Sequence, residues 1–129
     1  MASQDRWQSE QIVQDVIASA RTIAVVGLSP RPERTSHRIS KYMQEHGYRI
    51  IPVNPNATEV LGEWSYASLR DVAEPVDVVN VFRRPEYTPD IARDTVAIGA
   101  KTLWMQVGVV NEEAARIAEQ GGVQVIMDL

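Results

Sequence analysis

Two short stretches of this sequence hold the residue types of an anion site. In "GLSPRPERTSHR" (27–38), Arg31, Arg34 and Arg38 alternate with the hydroxyls of Ser29, Thr35 and Ser36. In "FRR" (82–84), Arg83 and Arg84 follow Phe82 at the end of an apolar run. Guanidinium groups are rigid forks of donors that match phosphate oxygens, and hydroxyls donate to the same oxygens. If the two stretches meet, five of the 13 basic residues converge and the chemistry is phosphate recognition. Pro30 and Pro32 remove backbone donors and stiffen the first stretch. The anion contacts then fall to side chains and to the free N–H groups of a helix start rather than to a glycine cradle.

The elements that must bring these stretches together are legible in the pattern. "TIAVVG" (22–27), "YRIIPV" (48–53), "VDVVNVF" (76–82), "TLWMQV" (102–107) and "VQVIMD" (123–128) are β-branched runs suited to buried parallel strands. Ile12, Val13, Val16, Ile17 and Ala20 recur at helical spacing and predict a helix over 8–19. Ile39, Tyr42, Met43 and His46 mark a second helix over 36–46, with Ser36 as N-cap and Gly47 as its stop. "TPDIARDTVAIG" predicts a third, with Thr88 at the cap, Pro89 first in the helix and Gly99 at the end. "NEEAARIAEQG" predicts a fourth, capped by Asn111 and stopped at Gly121. Between the second and third of these runs, a short strand at 59–61 and a helical turn at 68–72 are expected.

Strands alternating with helices define an α/β chain, here a single Rossmann-like domain over 1–129 with residues 1–20 packed on it as an N-terminal helix. The expected sheet is mainly parallel with helices on both faces, in an order of about 3-2-1-4-5, the stretch 59–61 being the third strand and 76–82 the fourth. Ligands in such sheets bind beyond the carboxyl ends of the strands where the winding reverses. That point lies between the loop after Gly27 and the loop after Phe82, so the two arginine stretches should face one crevice.

Composition narrows the function. The chain has 129 residues, 44% hydrophobic and 23% charged, ordinary for one globular domain. Its formal charge of −4 supplies no overall field toward nucleic acid or membrane, so neither is expected as a partner. The absence of cysteine excludes disulfides, thiolate zinc sites and a cysteine nucleophile. No segment has the apolar length of a membrane span, and the N-terminus lacks the apolar core of a signal peptide, so a cytoplasmic location is expected.

No catalytic or metal-ligating set is expected. Glu112 and Glu113 sit where a helix dipole favours negative charge, His37 reads as solvated or a modest anion contact, and His46 lies near a helix end. Trp64 and Trp104 read as packing residues, and Met105 and Met127 as core. A dinucleotide site would show G-x-G-x-x-G and an acid ending the second strand, whereas this chain has "GLSPRP" and "VNPN". NAD is therefore disfavoured. An NADP-dependent redox domain and a nucleotide-sensing regulatory module remain as alternatives.

The ordered set "IAVVGLSPRPERTSHRI", "HGYRIIPVNPN", "VLGEWSYASLRDV", "PVDVVNVFRR" and "AIGAKTLWMQVGVVNEEAARIAEQGGVQVIMD" resembles the small stand-alone CoA-binding proteins. These are relatives of the CoA-binding domain of the succinyl-CoA synthetase α subunit. The resemblance implies coenzyme A, or an acyl-CoA, held by the loop after the first strand, the N-P segment after the second and the loop after the fourth. The contacts it implies are Gly27, Leu28, Ser29, Arg34, Thr35 and Ser36, then Asn54 and Pro55, then Phe82, Arg83 and Arg84. With no cysteine, binding of this small-molecule ligand is expected to be non-covalent, in a carrier or sensor role to which no catalysis is assigned and for which a protein partner is left open.

Overall fold

Five β-branched runs build one parallel sheet in the computed structural model, which describes residues 3–129. The strands are β1 (Thr22–Val26), β2 (Arg49–Val53), β5 (Val78–Val81), β6 (Thr102–Met105) and β7 (Gln124–Met127), in the order β2-β1-β5-β6-β7. Each is trimmed by one to three residues from its apolar run, because the flanking residues turn into loops.

The order expected from sequence needs one correction. Residues 59–61 do not extend the sheet beyond β2. Glu59–Val60 (β3) instead pairs antiparallel with Glu63–Trp64 (β4) as a separate hairpin. The turn explains it: Leu61 and Gly62 both have positive φ, 55° and 79°, as the two central residues of a tight hairpin require. At the outer edge of β2, Tyr66 bridges Val53, donates to the Pro52 carbonyl and accepts from the Asn54 N–H. Pro52 itself is tolerated because β2 is an edge strand of the main sheet.

The helices are α1 (Glu10–Ser19), α2 (Thr35–Glu45), α3 (Thr88–Ala97) and α4 (Glu112–Gln120). Helix α1 starts two residues later than its periodicity suggests, and a 3₁₀ turn over Ser3–Gln8 precedes it. Asn111 caps α4 as expected, accepting from the Ala114 N–H at 2.9 Å. Two caps are shifted. Helix α2 begins at Thr35 with Arg34 as N-cap, so Ser36 is inside the first turn. Helix α3 already includes Thr88, whose hydroxyl donates back to the Pro85 carbonyl at 2.6 Å.

Alternation along the strands divides the core. Val79, Val81, Leu103 and Met105 pack on one face with Ala92 of α3 and Ala114, Ala115 and Ala118 of α4. Val16 of α1 packs on the other with Ile23, Val25, Ile50, Val78 and Ile126. Met105 and Met127 are fully buried as expected, but Trp64 is 71% exposed and packs no core.

The opposite end of the sheet from the candidate site is fastened by Asp77. One carboxylate oxygen accepts from the Arg21 and Thr22 N–H groups at 2.8 and 2.9 Å, and the other faces Lys101 Nζ at 3.3 Å. Burial pushes this carboxyl up, but the Thr22 and Arg21 donors and Lys101 outweigh it and hold it below the ordinary 3.8. A depressed folded-state value means that the stabilisation is present above the unfolded value and disappears as the pH falls through the folded one. Asp77→Ala should cost about 2 kcal/mol at pH 7. Denaturant titrations should show that difference shrinking below about pH 4.

Candidate functional site

At the carboxyl ends of the strands, β2, β1 and β5 are tied together. The Gly27 N–H donates to the Val53 carbonyl and the Phe82 N–H to the Val26 carbonyl, both at 2.9 Å. Gly27 has φ +87°, and a Cβ placed on it would lie 2.6 Å from the Phe82 carbonyl oxygen and 3.1 Å from Arg83 Cδ. Only glycine lets these two loops approach so closely, and the aliphatic stem of Arg83 crosses directly over it.

Beyond Gly27 the chain is locked into a rigid arch. The Ser29 N–H donates to Ser36 Oγ at 3.0 Å, and the Arg31 N–H to Ser29 Oγ at 3.1 Å. Asn54 Nδ2 donates to the Leu28 carbonyl at 2.9 Å. His37 Nδ1 lies 2.9 Å from the Ser29 carbonyl, and since a carbonyl only accepts, this ring nitrogen bears the proton. Both serine hydroxyls accept within the arch and keep their own protons for a ligand.

Helix α2 opens on this arch, with no side-chain cap and no acid in its first turn. The other three helices each begin with an acid, namely Glu10, Asp90, and Glu112 with Glu113. The positive end of the α2 dipole and its unused N–H groups therefore face the loop unneutralised. A cleft of about 440 Å³ lies there, lined by Gly27, Ser29, Arg31, Arg34, Thr35, Ser36 and Phe82.

The arginines divide by partner. Arg31 pairs with Glu33 at 2.9 Å, and Arg38 folds back onto the Glu33 carbonyl and Thr35 Oγ1. Among the described residues, Arg34, Arg83 and Arg84 have no carboxylate partner. Arg83 rests with its guanidinium 4.5 Å from the Tyr87 ring centroid, a contact that fixes its direction without neutralising it.

Of the residues that the sequence nominates, Gly27, Ser29, Arg34, Thr35, Ser36 and Phe82 line the cleft. Arg83 crosses its rim, and Arg84 is exposed just after it. Leu28 is fully buried in the core and presents only backbone. Asn54 spends its amide holding Leu28 and its Oδ1 accepting from the Asn56 N–H, and Pro55 is exposed outside the lining. Sequence reasoning missed two contributors, His37 as a fastener of the arch and Tyr87 as the platform for Arg83. The spacing "RRPEY" carries a signal for the second, with the arginine four residues before the ring across a proline turn. Among the described residues there is no metal-ligating cluster and no helix long and apolar enough to cross a membrane.

The model for the CoA binding domain family matches residues 21–129. The chain belongs to that family. A relative, the uncharacterized protein YneT of Bacillus subtilis, is 47% identical over 121 residues, covering 94% of this chain and 90% of its own. A hypothetical protein from Pyrococcus horikoshii OT3 superposes with a TM-score of 0.92 at 32% identity, over 99% of this chain and 90% of its own. This CoA binding domain is also similar to an ADP-forming acetate–CoA ligase of Archaeoglobus fulgidus, 22% identical over 116 residues. That match takes in 82% of this chain and only 17% of the ligase. This chain is thus similar both to small separate proteins along most of their length and to one part of far longer ligases.

Proposed function

We propose that this chain binds coenzyme A or an acyl-CoA non-covalently between the loops after β1 and β5, as a cytoplasmic carrier or sensor. The observation that carries the reading is the meeting of Arg83 with Gly27 beside the unneutralised start of α2, where Arg34, Thr35 and Ser36 stand. CoA brings a pyrophosphate and a 3′-phosphate, and the donor set fits that charge: helix N–H groups and hydroxyls for one group, guanidinium forks from two loops for another. Arg34, Arg83 and Arg84 are cations without carboxylate partners among the described residues, so ligand phosphates would not have to displace an internal salt bridge. The prolines and hydrogen bonds of the arch fix the loop in advance, which reduces the ordering cost of binding.

Only binding is carried over from the longer relatives. The Archaeoglobus fulgidus protein is named for ligation, and this chain aligns with 17% of it. With no cysteine, the chain cannot hold CoA as a mixed disulfide, so denaturation without reductant should release all bound ligand.

Thermal denaturation tests the reading. CoA at 100 times its dissociation constant should stabilise the chain by about 2.7 kcal/mol, a rise of roughly 8 °C or more. NADH and NADPH should give much smaller shifts, because the dinucleotide glycines and the ribose-binding acid are absent. Equal shifts with NADPH and CoA would favour the redox-domain alternative.

A further inference from the structure

Besides the phosphate cleft, the sheet face under α1 and α2 carries a larger groove of about 590 Å³, within the range of small-molecule sites. Ile17 of α1 and Ile39 and Met43 of α2 form its walls, and Asn80 of β5 and Trp104 of β6 its floor. No Asp, Glu, Lys or Arg lines it. Its rim leaves Ile17 52% and Tyr42 64% exposed, apolar surface that a ligand would cover.

The groove lies next along the same two elements that carry the cleft. On α2, Ser36 lines the cleft and Ile39 and Met43 line the groove, one and two turns further along one side of the helix. On the sheet, Phe82 lines the cleft and Asn80, two residues back and so on the same face, lines the groove. Ser36 to Met43 spans only about 10 Å of helix. Asn80 accepts from Gln106 Nε2, which leaves the Asn80 amide nitrogen and the Gln106 amide oxygen on the groove floor for a ligand amide. A phosphate-rich head, then amides, then an uncharged apolar trough is the order of groups in a CoA thioester of an aliphatic acid.

We propose that this groove receives the acyl group, so that the ligand is an aliphatic acyl-CoA rather than free CoA. The inference rests on the CoA reading above and adds its substrate class. Because no lysine or arginine lines the walls and His46 turns its Nδ1 onto the Tyr42 carbonyl, a dicarboxylic acyl group would bury a carboxylate without a guanidinium or ammonium partner and is disfavoured.

Calorimetric titration with CoA, butyryl-CoA, octanoyl-CoA and succinyl-CoA tests it. Affinity should rise about two- to fourfold per buried methylene, leaving octanoyl-CoA at least about tenfold tighter than CoA and succinyl-CoA no tighter than CoA. Ile39→Trp, which fills the trough, and Ile17→Glu, which charges its half-exposed wall, should each remove the octanoyl gain, and Ile17→Glu should leave free CoA within about twofold. If CoA binds but affinity is flat with chain length, or if both variants keep the gain, the groove assignment is wrong while CoA binding stands. Failure of all four ligands to bind removes the CoA reading and the groove with it. Sedimentation of the same samples adds one more outcome: a dimer that Ile17→Glu dissociates, with no chain-length effect, would assign the groove to a second copy.

Discussion

Gly27→Ala should lower the melting temperature by roughly 8–15 °C, from a loss of about 3 kcal/mol. Two effects add. An alanine at φ +87° is held in a region that L residues rarely adopt, a strain of about 1–2 kcal/mol. The new methyl would also lie 2.6 Å from the Phe82 carbonyl oxygen, which is backbone and cannot rotate away. Relief requires the ends of β1 and β5 to separate, breaking the Phe82 N–H bond to Val26 and lifting Arg83 from the cleft. CoA affinity should therefore fall beyond what lost stability explains. Gly62→Ala is the control, with φ +79° and nothing within 4 Å of the added methyl, so it suffers the strain without the collision. Equal melting shifts in the two variants would show that the close approach at Gly27 is not the dominant cost.

The same position illustrates what sequence can and cannot carry. A glycine after an apolar run marks the end of β1, and the β-branched composition of all five main strands makes the sheet readable by local rules. Asn111 is readable as a cap because its bond to the Ala114 N–H is local. What fails is decided by distant partners. Ser36 looks like an N-cap, but its hydroxyl accepts from the Ser29 N–H, and the cap position falls two residues earlier, on Arg34. Residues 59–61 look like a sheet strand, yet Leu61, not a usual turn residue, adopts φ 55° and folds the chain back. Trp7 lies in a polar stretch with no apolar period, but it is buried and donates to Glu119, 112 residues away. For the candidate site, residue types point to phosphate chemistry, and topology brings the loops after β1 and β5 together. The division of the five arginines into paired and unpaired depends on Glu33 and Tyr87, and that only the folded loops display.

That division predicts which arginines matter. Arg34→Ala or Arg83→Ala should each weaken CoA binding by about tenfold or more, since a well-formed charge-assisted phosphate contact contributes roughly 1.5–3 kcal/mol. Arg31→Ala should cost less, because the Glu33 carboxylate 2.9 Å away already engages that guanidinium. Folding should be nearly unaffected by Arg34→Ala, which removes no cap bond and no ion pair with a described carboxylate. Arg83→Ala gives up its contact with Tyr87, about 0.5–1 kcal/mol at an exposed site. Arg93, paired with Asp90 on α3 at 2.7 Å and outside the cleft lining, is the control whose loss should leave affinity unchanged. If Arg34 and Arg83 grip one ligand from two loops, the double variant should lose most of the salt dependence of the wild type, and the single losses should couple rather than add. Titration calorimetry of wild type, both singles, the double and Arg93→Ala at two salt concentrations supplies every term of that cycle. Wild-type affinity in both single variants would move the ligand out of this cleft, whereas strictly additive losses would assign the two arginines to separate phosphates.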